Sequence, residues 1–268
     1  SANTATNLAD ASFTLDDATN PTIVGTAATN GDPEAGGNIV ITTTISDWSG
    51  ITAAEWQIQG ETTWAALTDL GGGNYQALWD CSGAAEGSYD VDIRATDGSA
   101  NTATNLADAS FTLDDATNPV IAGTTADNGD PEAGTTITVD TTITDFSGIT
   151  SADFRIAGIT GWIPLTDLGG GAFQGTWDCS GVAEGTYDVD IRATDGADTP
   201  NTVTALADAS FDLADATDPT ISLETAPATA TIGQLVTITC QAVDGLTGIA
   251  SVYAWIEDGT NTFQEAIQ

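Results

Sequence analysis

The sequence of 268 residues predicts an all-β chain, built of Greek-key β-sandwich domains in tandem and arranged as an extended rod. Three observations predict it. Ser1 to Pro21 recurs letter for letter at Ser99 to Pro119, and a diverged copy ends at Pro219. The closing prolines fall at 21, 119 and 219, and a period that long is one small domain per repeat rather than a solenoid turn. Within each repeat, apolar and polar residues alternate and turn residues recur about every 8–12 positions, with no helical period.

Residues 1–20 read as the terminal strand of a preceding repeat, Ala11 to Leu15, plus a linker. Residues 21–118 form repeat 1, residues 119–218 repeat 2, and residues 219–268 the first half of a third. In repeat 1, Thr22 to Thr29 is a first strand, followed by turn material from Asn30 to Gly37. The second strand turns Ile39, Ile41, Thr43 and Ile45 inward, as a sheet covered on one face requires. The third carries Ala54, Trp56 and Ile58 inward. Trp64 to Leu70 is a single strand closed by Gly71–Gly73, and Asn74 to Asp80 pairs back. Tyr89, Val91, Ile93 and Ala95 are the inner face of the next strand, with Asp90, Asp92 and Arg94 outward and solvated. Asp97 to Asp108 is a loop, and Ala109 to Leu113 closes the domain. Repeat 2 retraces this order, with Asp188, Asp190 and Arg192 on the matching outer face. Cys81 and Cys179 continue an inward alternation and are expected as buried free thiols.

Composition narrows function. There are 39 acidic residues against three basic ones, Arg94, Arg155 and Arg192, a formal net charge of -36. Phosphate recognition needs cationic side chains, so nucleic acid is excluded as a partner, and an anionic membrane surface is disfavoured. No apolar run is long enough for membrane insertion in this segment. The self-repulsion calls for counter-ions, either screening salt or bound divalent cations. No enzyme motif is present. Without histidine there is no catalytic triad or His-ligated zinc, and without lysine no Schiff base, so a non-enzymatic role is expected.

The segments Glu86-Gly-Ser-Tyr-Asp-Val91 and Glu184-Gly-Thr-Tyr-Asp-Val189 resemble the tyrosine corner of immunoglobulin-like domains, and Trp56 resembles the core tryptophan of that family. Arg94-Ala-Thr-Asp-Gly98, Asn101 and the closing Asp-Asp-Ala-Thr-Asn-Pro119 are similar to tandem Ig-like repeats of prokaryotic surface-layer proteins, adhesins and extracellular filaments. The resemblance implies an extracellular, cell-surface location. It also puts Cys240 at the position that carries a disulfide cysteine in Ig domains, with its partner beyond this sequence.

In a sandwich of that strand order, carboxylates gather where one repeat joins the next. The joint of repeats 1 and 2 would collect Glu86, Asp114, Asp115 and Asn118 with Asp145 and Asp195. The first joint would collect Asp16, Asp17, Asn20, Asp47 and Asp97, and the last Glu184, Asp215, Asp218 and Asp244. Converging hard oxygen ligands suit Ca²⁺. The arrangement resembles the interdomain sites of cadherins. In a chain acidic throughout, solvated loops would give the same letters. Trp48 and Trp162 would stack on sugars if exposed; Phe146 and Leu246 at the place of Trp48 favour packing instead.

The expected function is structural: part of an acidic cell-surface layer or filament that self-associates and is stiffened by Ca²⁺ at its joints. The alternatives are an adhesin stalk and a carbohydrate-binding module recognising cell-surface glycans.

Overall fold

A computed structural model describes residues 14–231, 233–257 and 262–267. Most of the expected strand at Ala11–Leu15 lies outside the described residues. Among those described there is no helix, hence none long and apolar enough to cross a membrane. The chain divides into two compact units: Ser1–Thr117 with Gly196–Asn201, and Asn118–Asp195 with Thr202–Gln268.

The first unit contains β1 (Thr22–Ala28), β2 (Asn38–Ser46), β3 (Ile51–Ile58), β4 (Ala65–Ala66), β5 (Thr68–Gly71), β6 (Asn74–Asp80), β7 (Gly87–Asp97) and β8 (Thr102–Leu113). One sheet has the order β1-β2-β6-β5 and the other β4-β3-β7-β8, with every ladder antiparallel. This is the Ig-like Greek-key order. Gly31 adds a parallel bridge to Leu113, tying the end of the first segment to the last strand. The inner faces follow the alternation: Ile39, Ile41, Thr43, Ile45, Ala54, Trp56, Ile58, Val91, Ile93 and Ala95 are all buried. Cys81 is buried and free, as expected.

The second unit repeats the plan with β9 (Val120–Ala126), β10 (Thr136–Thr144), β11 (Ile149–Ile156), β12 (Ile163–Pro164), β13 (Thr166–Gly169), β14 (Ala172–Asp178), β15 (Gly185–Asp195) and β16 (Thr202–Leu213). Its sheets are β9-β10-β14-β13 and β12-β11-β15-β16, and Gly129 bridges to Leu213. It also holds two separate hairpin-like pairs, β17 (Thr220–Thr225) with β18 (Thr239–Val243), and β19 (Val252–Glu257) with β20 (Thr262–Ile267).

Three local expectations are corrected. The single strand expected over Trp64–Leu70 is two strands on different sheets, because Leu67 turns into the core between them and its N–H bonds the Ala54 carbonyl at 2.9 Å. The last strand starts at Thr102 and not at Ala109, since a bulge carries it past Ala107, which has φ 51°. That bulge also removes Asp92 from solvent. Asp92 is 2% exposed and Asp190 3%, so neither belongs to a solvated face. Asp92 accepts the Ala107 N–H (2.8 Å) and the Gln57 side-chain amide (2.9 Å). Asp190 accepts the Ala207 N–H (2.8 Å) and pairs with Arg155 at 2.8 Å.

The tyrosine corner is present in both sandwiches. Tyr89 Oη donates to the Ala85 carbonyl at 2.7 Å, and Tyr187 Oη to that of Ala183 at 2.8 Å.

Candidate metal centre

Two loops and a linker build the site in the first unit. The β2–β3 loop places Asp47, the end of β7, where its loop to β8 begins, places Asp97, and the linker before β1 places Asp17. The loops meet because Gly98 has no side chain: a Cβ there would lie 2.5 Å from the Ser49 carbonyl oxygen. Its N–H instead donates to the Gly50 carbonyl at 3.0 Å.

Each carboxylate is aimed by its own turn. Asp17 Oδ1 accepts Thr19 N–H (3.0 Å) and its hydroxyl (2.5 Å). Asp47 Oδ1 accepts Ser49 N–H and hydroxyl, both at 2.8 Å. Asp97 Oδ1 accepts the amides of Ser99 and Asn101, both at 2.8 Å. Tying one oxygen to the turn points the other away from it. Asn101 then joins loop and linker: its Nδ2 donates to Asp97 Oδ2 (2.8 Å) and to the Asp17 main-chain carbonyl (3.0 Å). The result is that one oxygen from each of Asp17, Asp47 and Asp97 lies within 4.8 Å of the others. Asp97 is buried, and Asp17 Oδ2 is out of solvent with no hydrogen-bond partner among the described residues. The Thr19 hydroxyl and amide hold the Asp17 carboxyl below its usual range, so it is ionised at neutral pH.

A second group lies in the second unit, where Glu132, Asp215 and Asp244 each bring an oxygen within 4.8 Å of the others. Asp244 Oδ1 accepts the amides of Thr247 (3.1 Å) and Gly248 (2.9 Å). Asp215 Oδ1 accepts Thr217 N–H (3.0 Å), and its Oδ2 accepts the Thr247 hydroxyl (2.7 Å). Glu132 spans the amides of Gly245 (3.0 Å) and Leu246 (3.1 Å), and a Cβ on Gly245 would sit 2.9 Å from Glu132 Oε1.

Several of the other expected ligands serve the linkers or face solvent. Glu86 and Glu184 accept the main-chain amides of Asp115 and Asp215, both at 2.8 Å, and so anchor linkers. Asp16, Asn20, Asn118 and Asp218 are exposed. Asp114 accepts the Thr199 amide at 3.3 Å within the first unit. Asp115 is fully buried, with Oδ1 taken by Thr117 N–H (3.0 Å) and Oδ2 without a hydrogen-bond partner among the described residues. Asp145 takes the Ser147 turn, at 2.9 and 2.7 Å. Asp195 is buried, and its main-chain carbonyl accepts the Thr150 hydroxyl.

Glu132 was not among the expected ligands. Its signal is the Asp-Pro-Glu-Ala-Gly turn, which both repeats keep, at 32–36 and 130–134. The aspartate of that turn is also a linker clasp. Asp32 accepts Glu34 and Ala35 amides on one oxygen and Ala116 N–H and the Thr117 hydroxyl on the other. Asp130 does the same with Glu132, Ala133, Ala216 and Thr217.

The packing expected for the tryptophans holds for Trp162, which is half-buried, while the ring of Trp48 is not packed in the core. Trp48 is 83% exposed and Phe146 44%. Trp162 lies under the guanidinium groups of Arg155 and Arg192, at 4.7 and 4.6 Å, as Trp64 lies under Arg94 at 4.5 Å. Each arginine also pairs with a carboxylate: Arg94 with Glu55 (2.6 Å), Arg155 with Asp190 (2.8 Å) and Arg192 with Asp153 (2.7 Å).

No family model matches the chain, and no curated protein matches it. Among solved structures it is similar to a tetra-tandem repeat in the extending region of a large adhesion protein, with 19% identity over 91% of this chain and 63% of that one and a TM-score of 0.37. It is similar to protocadherin gammaB7 EC3-6, with 15% identity, 91% and 61% coverage and a TM-score of 0.44. The N-terminal Ig1-2 module of Drosophila receptor protein tyrosine phosphatase DLAR shares 13% identity over 73% of this chain and 98% of that one, with a TM-score of 0.29. The chain thus spans under two thirds of the first two. The Ig-like assignment rests on the strand order and the tyrosine corners, not on these likenesses.

Proposed function

We propose that this chain is a structural segment of an acidic extracellular cell-surface assembly, a surface layer or filament, whose linkers are fastened by Ca²⁺. The observation that carries the reading is the convergence of Asp17, Asp47 and Asp97, with one oxygen of Asp17 out of solvent and without a hydrogen-bond partner among the described residues. Like charges so close repel each other, and a divalent cation reverses the sign of that interaction. All candidate ligands are hard oxygens on turns, which suits the flexible, high coordination of Ca²⁺ better than the strict octahedron of Mg²⁺. The ion's structural role follows from where the ligands sit: one on the linker, one on a loop of the sandwich and one at the end of β7, so binding would fix the linker to the domain. The group of Glu132, Asp215 and Asp244 would do the same in the second unit. Self-association of such segments is part of the proposal, since near-identical repeats present one surface at regular intervals.

Calorimetric unfolding in molar salt, with Ca²⁺ and then with a chelator, tests this. Ca²⁺ at a hundred times its Kd stabilises a site by about 2.7 kcal/mol. For a domain of this size that raises Tm by on the order of 10 °C. An unchanged Tm rejects structural calcium.

A second reading, contact with glycans, is favoured by the exposed ring of Trp48. A glycan array with wild type and Trp48→Ala decides it. Binding lost in the variant supports that reading, and no binding by the wild type removes it.

A further inference from the structure

The sequence contains Asn-Gly pairs at Asn30–Gly31 and Asn128–Gly129, at matching places in the two repeats. Two separate structural demands create them. Gly31 is required by packing, because a Cβ would lie 2.5 Å from Ile39 Cδ1 and 3.2 Å from Leu113 Cδ2. Gly129 is held in the same way, 2.5 Å from Ile137 Cδ1. The asparagine is required as an acceptor: Asn30 Oδ1 takes the Thr112 N–H at 2.9 Å, and Asn128 Oδ1 the Asp212 N–H at 2.8 Å. Asn-Gly is also the dipeptide most open to attack by its own backbone, since glycine offers no side chain to block the approach.

We propose that Asn30 and Asn128 are deamidation sites held shut by the last strand of each sandwich. In the reaction the Gly31 nitrogen bonds to Asn30 Cγ, the Cγ–Nδ2 bond breaks, and ammonia leaves with the proton shed by the amide. Water then opens the cyclic imide at one carbonyl or the other, giving aspartate, or isoaspartate with the main chain rerouted through Cγ. Both reacting groups are tied to one residue. Thr112 N–H holds the Asn30 side chain, and the Thr112 carbonyl accepts Gly31 N–H at 3.1 Å. Asp212 holds Asn128 and Gly129 identically, its carbonyl 3.0 Å from Gly129 N. Attack therefore waits until the end of β8 or β16 lifts away. Both asparagines are exposed, so water and base reach them once it does.

The product would not fit back. Isoaspartate inserts an extra carbon into the main chain, so Gly31 cannot keep its bond to Thr112 and still accept Asp114 N–H on its carbonyl, now at 3.1 Å. The end of β8 is thereby released directly before the Asp114–Asp115 linker. Opening of that seam becomes a permanent covalent record, independent of any bound cation.

The test is peptide mass spectrometry of the full chain incubated at mildly alkaline pH, folded and in denaturant, with chromatography separating aspartate from isoaspartate. Conversion at both sites is expected to be at least about tenfold slower in the folded chain. Thr112→Pro gives a second arm. Thr112 directs its N–H at Asn30 and not at β7, so proline removes that bond while sparing the ladder. Conversion at Asn30 should then rise several-fold, with Asn128 in the same chain unchanged. Equal rates in folded and denatured wild type would overturn the proposal, as would Asn30 and Asn128 reacting alike in folded Thr112→Pro.

Discussion

The side-chain nitrogen of Asn101 lies 3.0 Å from the main-chain carbonyl oxygen of Asp17, eighty-four positions earlier in the chain. The same nitrogen donates to Asp97, so one amide holds linker and loop together. Asn201 does the same for the Asp115 carbonyl, at 2.8 Å.

Replacing Asn101 by alanine should therefore loosen the linker without touching the core. Two bonds are lost, one of them to a buried carboxylate, for a cost of about 1–3 kcal/mol. Proteolytic cleavage between Asp16 and Pro21 should speed up accordingly. A cleavage rate equal to wild type would show that the amide does not hold the linker.

Gly175→Ala should destabilise the second sandwich. The new Cβ would stand 2.4 Å from Phe154 Cε1 and 2.9 Å from Leu165 Cδ2, and the fully buried Phe154 has no room to retreat. Overpacking of this kind costs about 1–3 kcal/mol. The first repeat has the opposite combination, Ala77 with Trp56. Chemical denaturation should show the second transition shifted and the first unmoved.

Tyr89→Phe and Tyr187→Phe each delete one hydroxyl that closes a corner onto Ala85 or Ala183. Each should cost about 0.5–1.5 kcal/mol, read as a drop in the denaturation midpoint with the slope unchanged.

Acid should reveal the linker clasps. Burial pushes the Asp32 carboxyl up, but donors at Ala35, Thr117, Glu34 and Ala116 outweigh it and hold the group below its ordinary 3.8. Asp130 is lowered by its donors, chiefly the Ala133 amide, against a smaller effect of burial. The folded chain thus binds fewer protons at these groups than the unfolded chain does. Their contribution is full above pH 3.8 and is lost as pH falls below it. Tm should fall in that window, and by less in Asp32→Asn with Asp130→Asn. Equal falls in both proteins would show that these clasps are not what acid breaks.

Much of the fold was legible because one face of each strand is apolar at every second residue, as in Ile39, Ile41 and Ile45. The tyrosine corners were legible from Glu-Gly-x-Tyr. What alternation does not encode is a change of sheet, so by alternation alone Leu67 lies within a continuous strand. Nor does it encode a bulge, so parity puts Asp92 on the outer, solvated face. At the site, Asp17, Asp47, Asp97, Asp215 and Asp244 were legible as repeated acids beside turns. Glu86 and Glu184 have the same letters but point at linker amides, and Glu132 was hidden in what read as a plain turn. Which acids share one point depends on Gly98 and Gly245, whose missing side chains let loops touch.

The most direct measurement of the central claim is Ca²⁺ titration calorimetry on wild type and on Asp47→Asn with Asp97→Asn, in salt high enough to screen diffuse binding. The variant should bind one Ca²⁺ fewer than wild type, with its remaining sites unchanged. Identical binding curves, or no binding by the wild type, would contradict a calcium site at Asp17, Asp47 and Asp97.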